Sequence, residues 1–273
     1  MEFTSDVITV EVADHVATVW LDRPEKRNAM GRAFWVDLPR AMELVSADED
    51  VRVVIIAGRG PSFTVGLDLI EFAGFDLASG SPSPAAGAKK TFAEIKHMQW
   101  TMTSIAECAK PVIVAVHGHC LGGGIDLITA ADIRLASTDA VFSVRETKIA
   151  IVADVGTLQR LPKIVAAGHV AELAYTGKDI DAARAAEIGL VNDVFEDHDT
   201  LMKATYEMAR EIAANSPLVV QGVKHILRAG ESRTVAEALD YVALYNTSHL
   251  RSADLAEAMA AFVEKRPPEF TGN

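Results

Sequence analysis

Cysteine and basic residues are both scarce in this sequence of 273 residues. The cysteines, Cys108 and Cys120, do not form a Cys-x-x-Cys pair, which argues against a disulfide framework or a cysteine-based zinc site and suits a reducing cytosol. The 26 Lys and Arg residues are outnumbered by 38 Asp and Glu, which gives a formal net charge of −12. We therefore expect no nucleic-acid partner, because phosphate backbones need a basic face, although a local basic patch could still hold a small anion.

Long apolar stretches and targeting segments are also missing. The longest stretch without a charged residue, 111–125, contains two histidines and four glycines and is too short and too polar to predict a membrane span. The N-terminus "MEFTSDVITVEV" lacks a basic segment followed by an apolar one, and the C-terminus "EFTGN" is not a peroxisomal signal. These features predict a cytoplasmic protein with no membrane partner.

Motifs of several enzyme classes cannot be found. The glycines of 122–124 do not fit the dinucleotide-binding pattern G-x-G-x-x-G, no G-K-[ST] follows them as in a P-loop, and no G-x-S-x-G marks a serine hydrolase. His117 and His119 have a spacing that could ligate a metal, but no third ligand lies near them in the sequence. We therefore expect no metal site.

The apolar patterns that are present predict an α/β protein. Pro39 should kink or divide the helix in which it falls, and the Gly-, Ser-, Pro- and Ala-rich stretch 74–88 predicts a mobile surface loop. The predicted elements are a β-hairpin over 7–21 with its turn near Ala13 and Asp14, a helix over 31–47, buried strands over 51–58 and 111–118, a helix over 89–109, short strands at "IRLAS" and "VFSV", and helices near 199–214, 217–229, 234–249 and 253–264.

Two parts of the chain repeat one plan. "VRVVIIAG…FTVGLDL" and "PVIVAVHGHCLGGGIDL" each place a buried strand before a glycine-containing loop and then G-[LI]-D-L. The echo suggests a repeated β-β-α layout, although strand–turn–helix units are common to α/β proteins in general.

The glycines of "HCLGGGID" (119–126) free the backbone from side-chain crowding, so that N–H groups can converge on a ligand. One interpretation is an oxyanion hole that uses the N–H groups of Gly123 and Leu67, one from each echoed unit. The alternative is that the glycines only allow a strand and a helix to pack closely.

Several acids lie near this loop in the sequence. Asp126 falls in the first turn of the helix after the glycines, Glu146 follows "VFSVR", and Asp154 ends an apolar run, 149–153, that looks suited to a core. Asp68 could cap a short helix. Each acid alone has an ordinary structural explanation, but together Asp126, Glu146 and Asp154 suggest carboxylates that converge on one pocket for acid–base chemistry next to a carbonyl.

Taken together, the motifs resemble the crotonase (enoyl-CoA hydratase/isomerase) superfamily. The matching pieces, in the order of the family, are "RPEKRNAM", "FTVGLDL", "PVIVAVHGHCLGGGIDLITAADIRLAS", "TLQRLP", "TGKDIDAARAAEIGLVNDVF" and "NSPLVVQGVKHIL". The resemblance implies an α/β fold made of a spiral of β-β-α repeats over 1–200, which holds the active site, and a helical trimerisation region over 201–273.

The same resemblance implies an acyl-CoA thioester as substrate, with no cofactor because coenzyme A is part of that substrate, and a homotrimer or a dimer of trimers. It places the oxyanion hole on Leu67 and Gly123. The implied substrate-binding residues are Val65, Gly66, Leu67, Asp68, Leu69, Gly123 and Gly124.

The acids indicate a branch of this family. Typical hydratases carry glutamates at the positions of Asp126 and Glu146 and a glycine at that of Asp154. "VRETKIAIVADVGTLQRLPKIV" instead resembles members that isomerise 3,5-dienoyl-CoA to 2,4-dienoyl-CoA in fatty-acid β-oxidation. The resemblance makes the three acids catalytic: Asp154 would take the C2 proton, Glu146 would deliver one at C6, and Asp126 would hold their ionisation and position. Ala150 departs from the glycine usual in that branch and could narrow the pocket.

Two alternatives remain at this point. An enoyl-CoA hydratase would add water to a 2-enoyl-CoA with the same fold. A non-catalytic binding protein, like the RNA-binding members of the superfamily, is disfavoured by the net charge of −12.

Overall fold

The computed structural model of the protein describes Phe3, residues 5–73 and residues 81–273. Within this part, the predicted α/β class is confirmed. The strands are β1 (Ile8–Ala13), β2 (Val16–Leu21), β3 (Val53–Gly58), β4 (Val112–Val116), β5 (His119–Leu121), β6 (Ile133–Ser137), β7 (Val141–Ser143), β8 (Ile180–Asp181) and β9 (Asp193–Phe195). The helices are α1 (Arg32–Ala47), α2 (Leu69–Ala73), α3 (Pro84–Glu107), α4 (Gly123–Ala130), α5 (Thr157–Arg160), α6 (Ala167–Thr176), α7 (Ala182–Glu187), α8 (His198–Ala213), α9 (Pro217–Gly230), α10 (Val235–His249) and α11 (Ala253–Glu264).

The main sheet has the order β1-β2-β3-β4-β6-β9 and is parallel except for the β1–β2 hairpin. That hairpin confirms the prediction, and its two-residue turn uses Asp14 and His15, both with positive φ. Alternate residues of β3 and β4 pack into two apolar clusters on opposite faces of the sheet, one of which is covered by α8. Such double burial explains why β3 and β4 are continuous apolar runs.

A smaller sheet has the order β5-β7-β8 and forms a second layer. β3, β4 and β6 lie side by side in the main sheet, and the chain after each then contributes Thr64, β5 or β7 to the second layer, where Thr64 forms a parallel bridge with Cys120. The predicted echo is therefore a real β-β-α repeat, and it brings the loops after β3 and β4 together.

Helices α1 and α3 depart from the prediction at two places. Pro39 does not divide α1, because the Trp35 carbonyl that loses its intrahelical donor at Pro39 accepts the Thr101 hydroxyl of α3 at 2.8 Å. Helix α3 begins at Pro84, where Ser83 caps it, so the predicted loop is wrong for its last residues. The part of that loop at 74–80 lies outside the described residues.

The C-terminal helices agree with their predicted bounds to within one residue. The predicted domain boundary at residue 200 falls inside α8, which buries Leu201, Ala209 and Ala213 against the main sheet. No helix in the described ranges is long and apolar enough to cross a membrane.

Candidate active site

The loops that follow β3 and β4 are joined by backbone hydrogen bonds. Thr64 N–H donates to the His119 carbonyl at 2.8 Å, and Leu121 N–H donates to the Thr64 carbonyl at 3.1 Å. Gly66 has φ of 80°, and a Cβ there would lie 2.5 Å from the Leu121 carbonyl oxygen and 3.2 Å from Gly123 N. Only glycine allows the two loops to approach this closely.

This approach brings together the backbone groups predicted to bind an oxyanion. Leu67 forms a bridge with Met30 that uses the Gly66 carbonyl and the Asp68 N–H, which leaves the Leu67 N–H unused. Gly123 is the first residue of α4, so its N–H has no acceptor within the helix. In the part of the chain that the structure describes, both N–H groups are available to an external acceptor.

Beside these groups lies a cavity of about 580 Å³. Leu67 and Gly123 line it together with the predicted acids Asp126, Glu146 and Asp154. The predicted oxyanion donors and acids therefore meet in one cavity, although Leu67 and Asp154 are 87 positions apart in the chain.

Asp126 is fully buried, with 0% of its surface exposed. Its Oδ1 accepts the Thr157 N–H at 2.5 Å, whereas Oδ2 has no partner among the described residues. Burial raises the pKa of Asp126 to about 6, an effect that the hydrogen bond from the Thr157 N–H and the charge of Arg160 oppose. A carboxyl this enclosed acts on its neighbours mainly through its charge.

Glu146 begins a 3-10 turn over Glu146–Ile149, separated from the end of β7 by two residues. Its Oε2 is buried and has no partner among the described residues, and its Oε1 lies 3.5 Å from where a Cβ on Gly122 would be. Burial first, and then the charge of Asp126, raise the pKa of Glu146 to about 7. Glu146 can therefore exist in both protonation states near neutral pH.

Asp154 is half-buried at the cavity wall, and burial raises its pKa. Gln99 of α3 holds the Asp154 backbone by donating to its carbonyl at 2.7 Å. The apolar run before it is not a core segment as predicted, because Ile149 is 41% exposed and Val152 is 74% exposed. Two residues of the run, Ile149 and Ile151, line the cavity.

The predicted substrate-binding residues divide into two groups. Val65, Leu67, Leu69 and Gly123 line the cavity. The remaining three do not line it and each has a structural role, while their contact with substrate stays a prediction. Gly66 allows the close approach of the loops, Asp68 caps α2 and pairs with Arg23 at 3.0 Å, and a Cβ on Gly124 would lie 2.8 Å from Thr64.

Sequence reasoning missed two parts of the cavity wall. Apolar side chains from α1, α2 and α3 form one part, namely Trp35, Phe72, Ile95 and Met98. Basic side chains form the other, namely Arg27, Arg145 and Lys148. Ile95 and Met98 are three residues apart on one helix, a spacing that predicts a shared face but does not say what it faces.

The two histidines near the glycine loop lie in different surroundings. His117 is buried, donates from Nε2 to the Gly60 carbonyl at 2.8 Å, and contacts the tilted ring of His198 with ring centroids 4.1 Å apart. His119 contacts the Ser62 hydroxyl through Nδ1 at 3.2 Å and faces the cavity. Among the described residues, no group of three or more His, Cys, Asp or Glu side chains is arranged to hold a metal ion.

Ala150 does not narrow the cavity as predicted. It is exposed, it does not line the wall, and it adopts φ of 60° at the end of the 3-10 turn that begins with Glu146. Glycine would adopt this conformation without steric cost, so the consequence of alanine here is backbone strain rather than a smaller pocket.

Comparisons with known proteins agree with this geometry. A family model described as enoyl-CoA hydratase/isomerase matches residues 11–273. A protein of Dictyostelium discoideum named Delta(3,5)-Delta(2,4)-dienoyl-CoA isomerase, mitochondrial, is 44% identical over 258 residues, which cover 94% of this chain and 88% of that protein. An Arabidopsis thaliana protein of the same name, but peroxisomal, is 40% identical over 268 residues, which cover 98% of this chain and 96% of that protein.

The fold has close counterparts among solved structures. The crystal structure of enoyl-CoA hydratase from Bacillus anthracis matches with a TM-score of 0.89 and 31% identity, covering 98% of this chain and all of that one. This likeness confirms the predicted crotonase-like fold. The predicted cytoplasmic location, in contrast, is wrong: the two isomerases that resemble this chain are named mitochondrial and peroxisomal.

Proposed function

The chain belongs to the enoyl-CoA hydratase/isomerase family, and we propose that it isomerises 3,5-dienoyl-CoA to 2,4-dienoyl-CoA in fatty-acid β-oxidation. The observation that carries this proposal is the third acid, Asp154, in the same cavity as Asp126 and Glu146. Adding water to a 2-enoyl thioester involves only C2 and C3. Moving a proton from C2 to C6 needs proton-transfer groups at two separated carbons.

In the proposed reaction the Asp154 carboxylate takes a proton from C2, and the electron pair spreads over a dienolate from the thioester oxygen to C6. Glu146, protonated, then delivers its proton to C6, which leaves double bonds at C2–C3 and C4–C5. A pKa of about 7 supports this role for Glu146, because a large share of it carries a proton at neutral pH. Proton exchange then returns both acids to their starting states.

The dienolate's negative charge would rest on the thioester oxygen. We infer that the Leu67 and Gly123 N–H groups bind that oxygen, since both are free of other acceptors in the described part of the chain and flank the cavity. Backbone donors fixed before the reaction stabilise developing charge without reorganising during it.

The rest of the cavity fits the remainder of an acyl-CoA. The apolar wall formed by Trp35, Phe72, Ile95 and Met98 suits the acyl tail, whereas Arg27, Arg145 and Lys148 suit the phosphates of coenzyme A. The proposed chemistry needs no separate cofactor, because coenzyme A enters as part of the substrate.

We also propose that the protein assembles as a homotrimer or a dimer of trimers. Large apolar side chains on α9, α10 and α11 are exposed in the single chain; Leu227 is 70% exposed and Phe262 is 83% exposed. Large apolar side chains exposed in this number favour association. Sedimentation velocity would show a species three or six times the chain mass, and a monomer at micromolar concentration would contradict the proposal.

Spectrophotometry with two substrates tests the proposed function. With 3,5-dienoyl-CoA we expect a new absorbance at longer wavelength as the double bonds become conjugated with the thioester. The alternative, an enoyl-CoA hydratase, is favoured by the name of the similar Bacillus anthracis structure and predicts water addition to 2-enoyl-CoA. Hydration of 2-enoyl-CoA without any isomerisation of 3,5-dienoyl-CoA would overturn our proposal.

A further inference from the structure

Arg160 lies behind the catalytic cavity, at the end of the single-turn helix α5. Its guanidinium does not line that cavity; it faces a second, basic cavity on the other side of the wall. Nη2 donates to the Thr103 hydroxyl of α3 at 3.1 Å, and Nη1 donates to the Val155 carbonyl at 3.4 Å. The guanidinium thus ties α3 to the chain immediately after Asp154.

The segment that Arg160 holds is the one that serves two of the acids. Asp154 stands at its beginning, and Thr157, the first residue of α5, donates its N–H to Asp126. Between them, Gly156 has φ of 139°, and a Cβ there would overlap the Arg160 guanidinium at 1.8 Å. The guanidinium therefore fills the space beside Gly156 and packs directly on the backbone that joins the two acids.

Arg160 also supplies a positive charge to Asp126, whose other titratable neighbours are acidic. The groups facing Asp126 are the carboxylates Asp154 and Glu146, the Cys120 thiol and the Arg160 guanidinium. The charge of Arg160 lowers the pKa of Asp126, against the effect of burial, whereas Asp154 raises it. On its outer side Arg160 faces Arg228, Glu231 and Glu107.

We propose that Arg160 is a positioning residue for the isomerisation. It fixes the segment that carries Asp154 and the N–H donor to Asp126, and its charge keeps Asp126 ionised from behind the wall. An ionised Asp126 in turn keeps Glu146 protonated, because two close carboxylates cannot readily both be charged. The catalytic part of this inference rests on the proposed function, but the electrostatic part does not.

The test is a substitution of Arg160 read by the titration of Asp126. In protein labelled with ¹³C at the aspartate carboxyls, the Asp126 resonance is assigned by its loss in Asp126→Asn and is followed against pH without substrate. In Arg160→Gln we expect the Asp126 pKa to rise by about 1 unit or more, as for loss of a neighbouring opposite charge. The alkaline limb of the kcat profile for 3,5-dienoyl-CoA, on which Glu146 loses its proton, should move to lower pH, with KM little changed.

Two further variants separate charge from structure. Arg160→Lys keeps the charge but loses the paired donors, so the Asp126 pKa should stay near that of the wild type while kcat falls. Lys163→Met removes a positive charge from the same basic cavity without facing Asp126, and should leave both the Asp126 pKa and the kcat profile unchanged.

Thr103→Val keeps the test valid if Arg160→Gln does not fold. It removes the hydroxyl that holds Nη2, so the Asp126 pKa should rise by a smaller but measurable amount. An Asp126 pKa unchanged in Thr103→Val, and in Arg160→Gln if it folds, would overturn the proposal even if kcat fell. A wild-type protein that does not isomerise 3,5-dienoyl-CoA would refute the proposed function, while the titration would still decide whether Arg160 controls Asp126.

Discussion

Glu146 in the cavity and Glu257 on α11 are the same residue type in opposite surroundings. Glu146 is partly buried, lies near Asp126 and has a buried Oε2 without a partner in the described part of the chain; burial raises its pKa to about 7. Glu257 is only partly exposed and accepts hydrogen bonds from two nitrogens of Arg266, at 2.5 and 2.9 Å, and from Glu269 N–H at 2.8 Å. These bonds lower the pKa of Glu257 to about 2.

The difference shows what each glutamate can do. A carboxylate paired with arginine stays charged and holds two pieces of chain together, here α11 and the C-terminal segment that follows it. A carboxyl that must exchange protons near neutral pH needs burial and acidic neighbours instead, and these lower the stability of its charged form. Glu146 therefore lowers the stability of the fold at neutral pH but can exchange protons there, whereas Glu257 stabilises the C-terminal segment and stays charged.

The largest effect should come from removing the acids of the cavity. Asp154→Asn keeps the size of the side chain and removes the base, so kcat for 3,5-dienoyl-CoA should fall by ~10²–10⁴. Glu146→Gln should cost a similar factor, and the double variant should cost far less than the product of the two, as for groups that act as one unit. Stopped-flow absorbance measures all three.

The matched control is Glu257→Gln, which makes the same change outside the cavity and should leave kcat unchanged. If Asp154→Asn isomerised at the wild-type rate, Asp154 would be a structural acid and the comparison between the two regions would fail. Substrate binding should change little in Asp154→Asn, because the proposed coenzyme A contacts and oxyanion donors remain.

A second variant keeps the acids and disturbs only the loops. A methyl group on Gly66 would meet the Leu121 carbonyl and crowd Gly123 N, so Gly66→Ala should move the two proposed oxyanion donors apart. We expect kcat to fall by ~10²–10³, the usual cost of losing one such donor. Gly168→Ala is the control, because a Cβ there meets no atom within 4 Å. Turnover near the wild-type value in Gly66→Ala would place the oxyanion site elsewhere.

Sequence reasoning succeeded where the signal is local. The repeated G-[LI]-D-L motif predicted that the loops of Leu67 and Gly123 would be equivalent, and helical periodicity gave the C-terminal helices. It failed where distant contacts decide. Nothing near Pro39 in the sequence reveals that the Thr101 hydroxyl donates to the Trp35 carbonyl in place of the missing N–H. Nothing near Arg160 reveals that its guanidinium packs behind Asp126. Contacts between residues 30 or more positions apart produce no periodic pattern in the sequence.

The next effect is on stability rather than on rate. The pKa of Glu146 is about 7 in the fold against an ordinary 4.5, so the unfolded chain binds fewer protons between these pH values. The fold is therefore favoured below pH 4.5 and loses that contribution as pH rises to about 7. Glu146→Gln should be more stable than the wild type above pH 7, by on the order of 1–3 kcal/mol, and equally stable near pH 4.5.

Urea denaturation of both proteins at several pH values measures this difference. The sign is the informative part, because loss of an ordinary ion-paired glutamate would lower stability at neutral pH. A Glu146→Gln protein that is less stable than the wild type at pH 8 would show that the carboxylate is paired in solution, and would remove the contrast with Glu257.

The smallest effect belongs to Glu257. Its pKa is about 2 in the fold against an ordinary 4.5, so its contribution is present above pH 4.5 and is lost as pH falls toward 2. Glu257→Gln should therefore lower the stability at neutral pH slightly, with the difference disappearing in acid, which is the opposite pH dependence to Glu146→Gln. Because the Arg266 pair is partly exposed, 0.5 M salt should shrink the difference further, while burial should protect the Glu146 effect from salt. Equal salt sensitivity of the two differences would mean that the cavity is open to ions, and that burial is not what raises the pKa of Glu146.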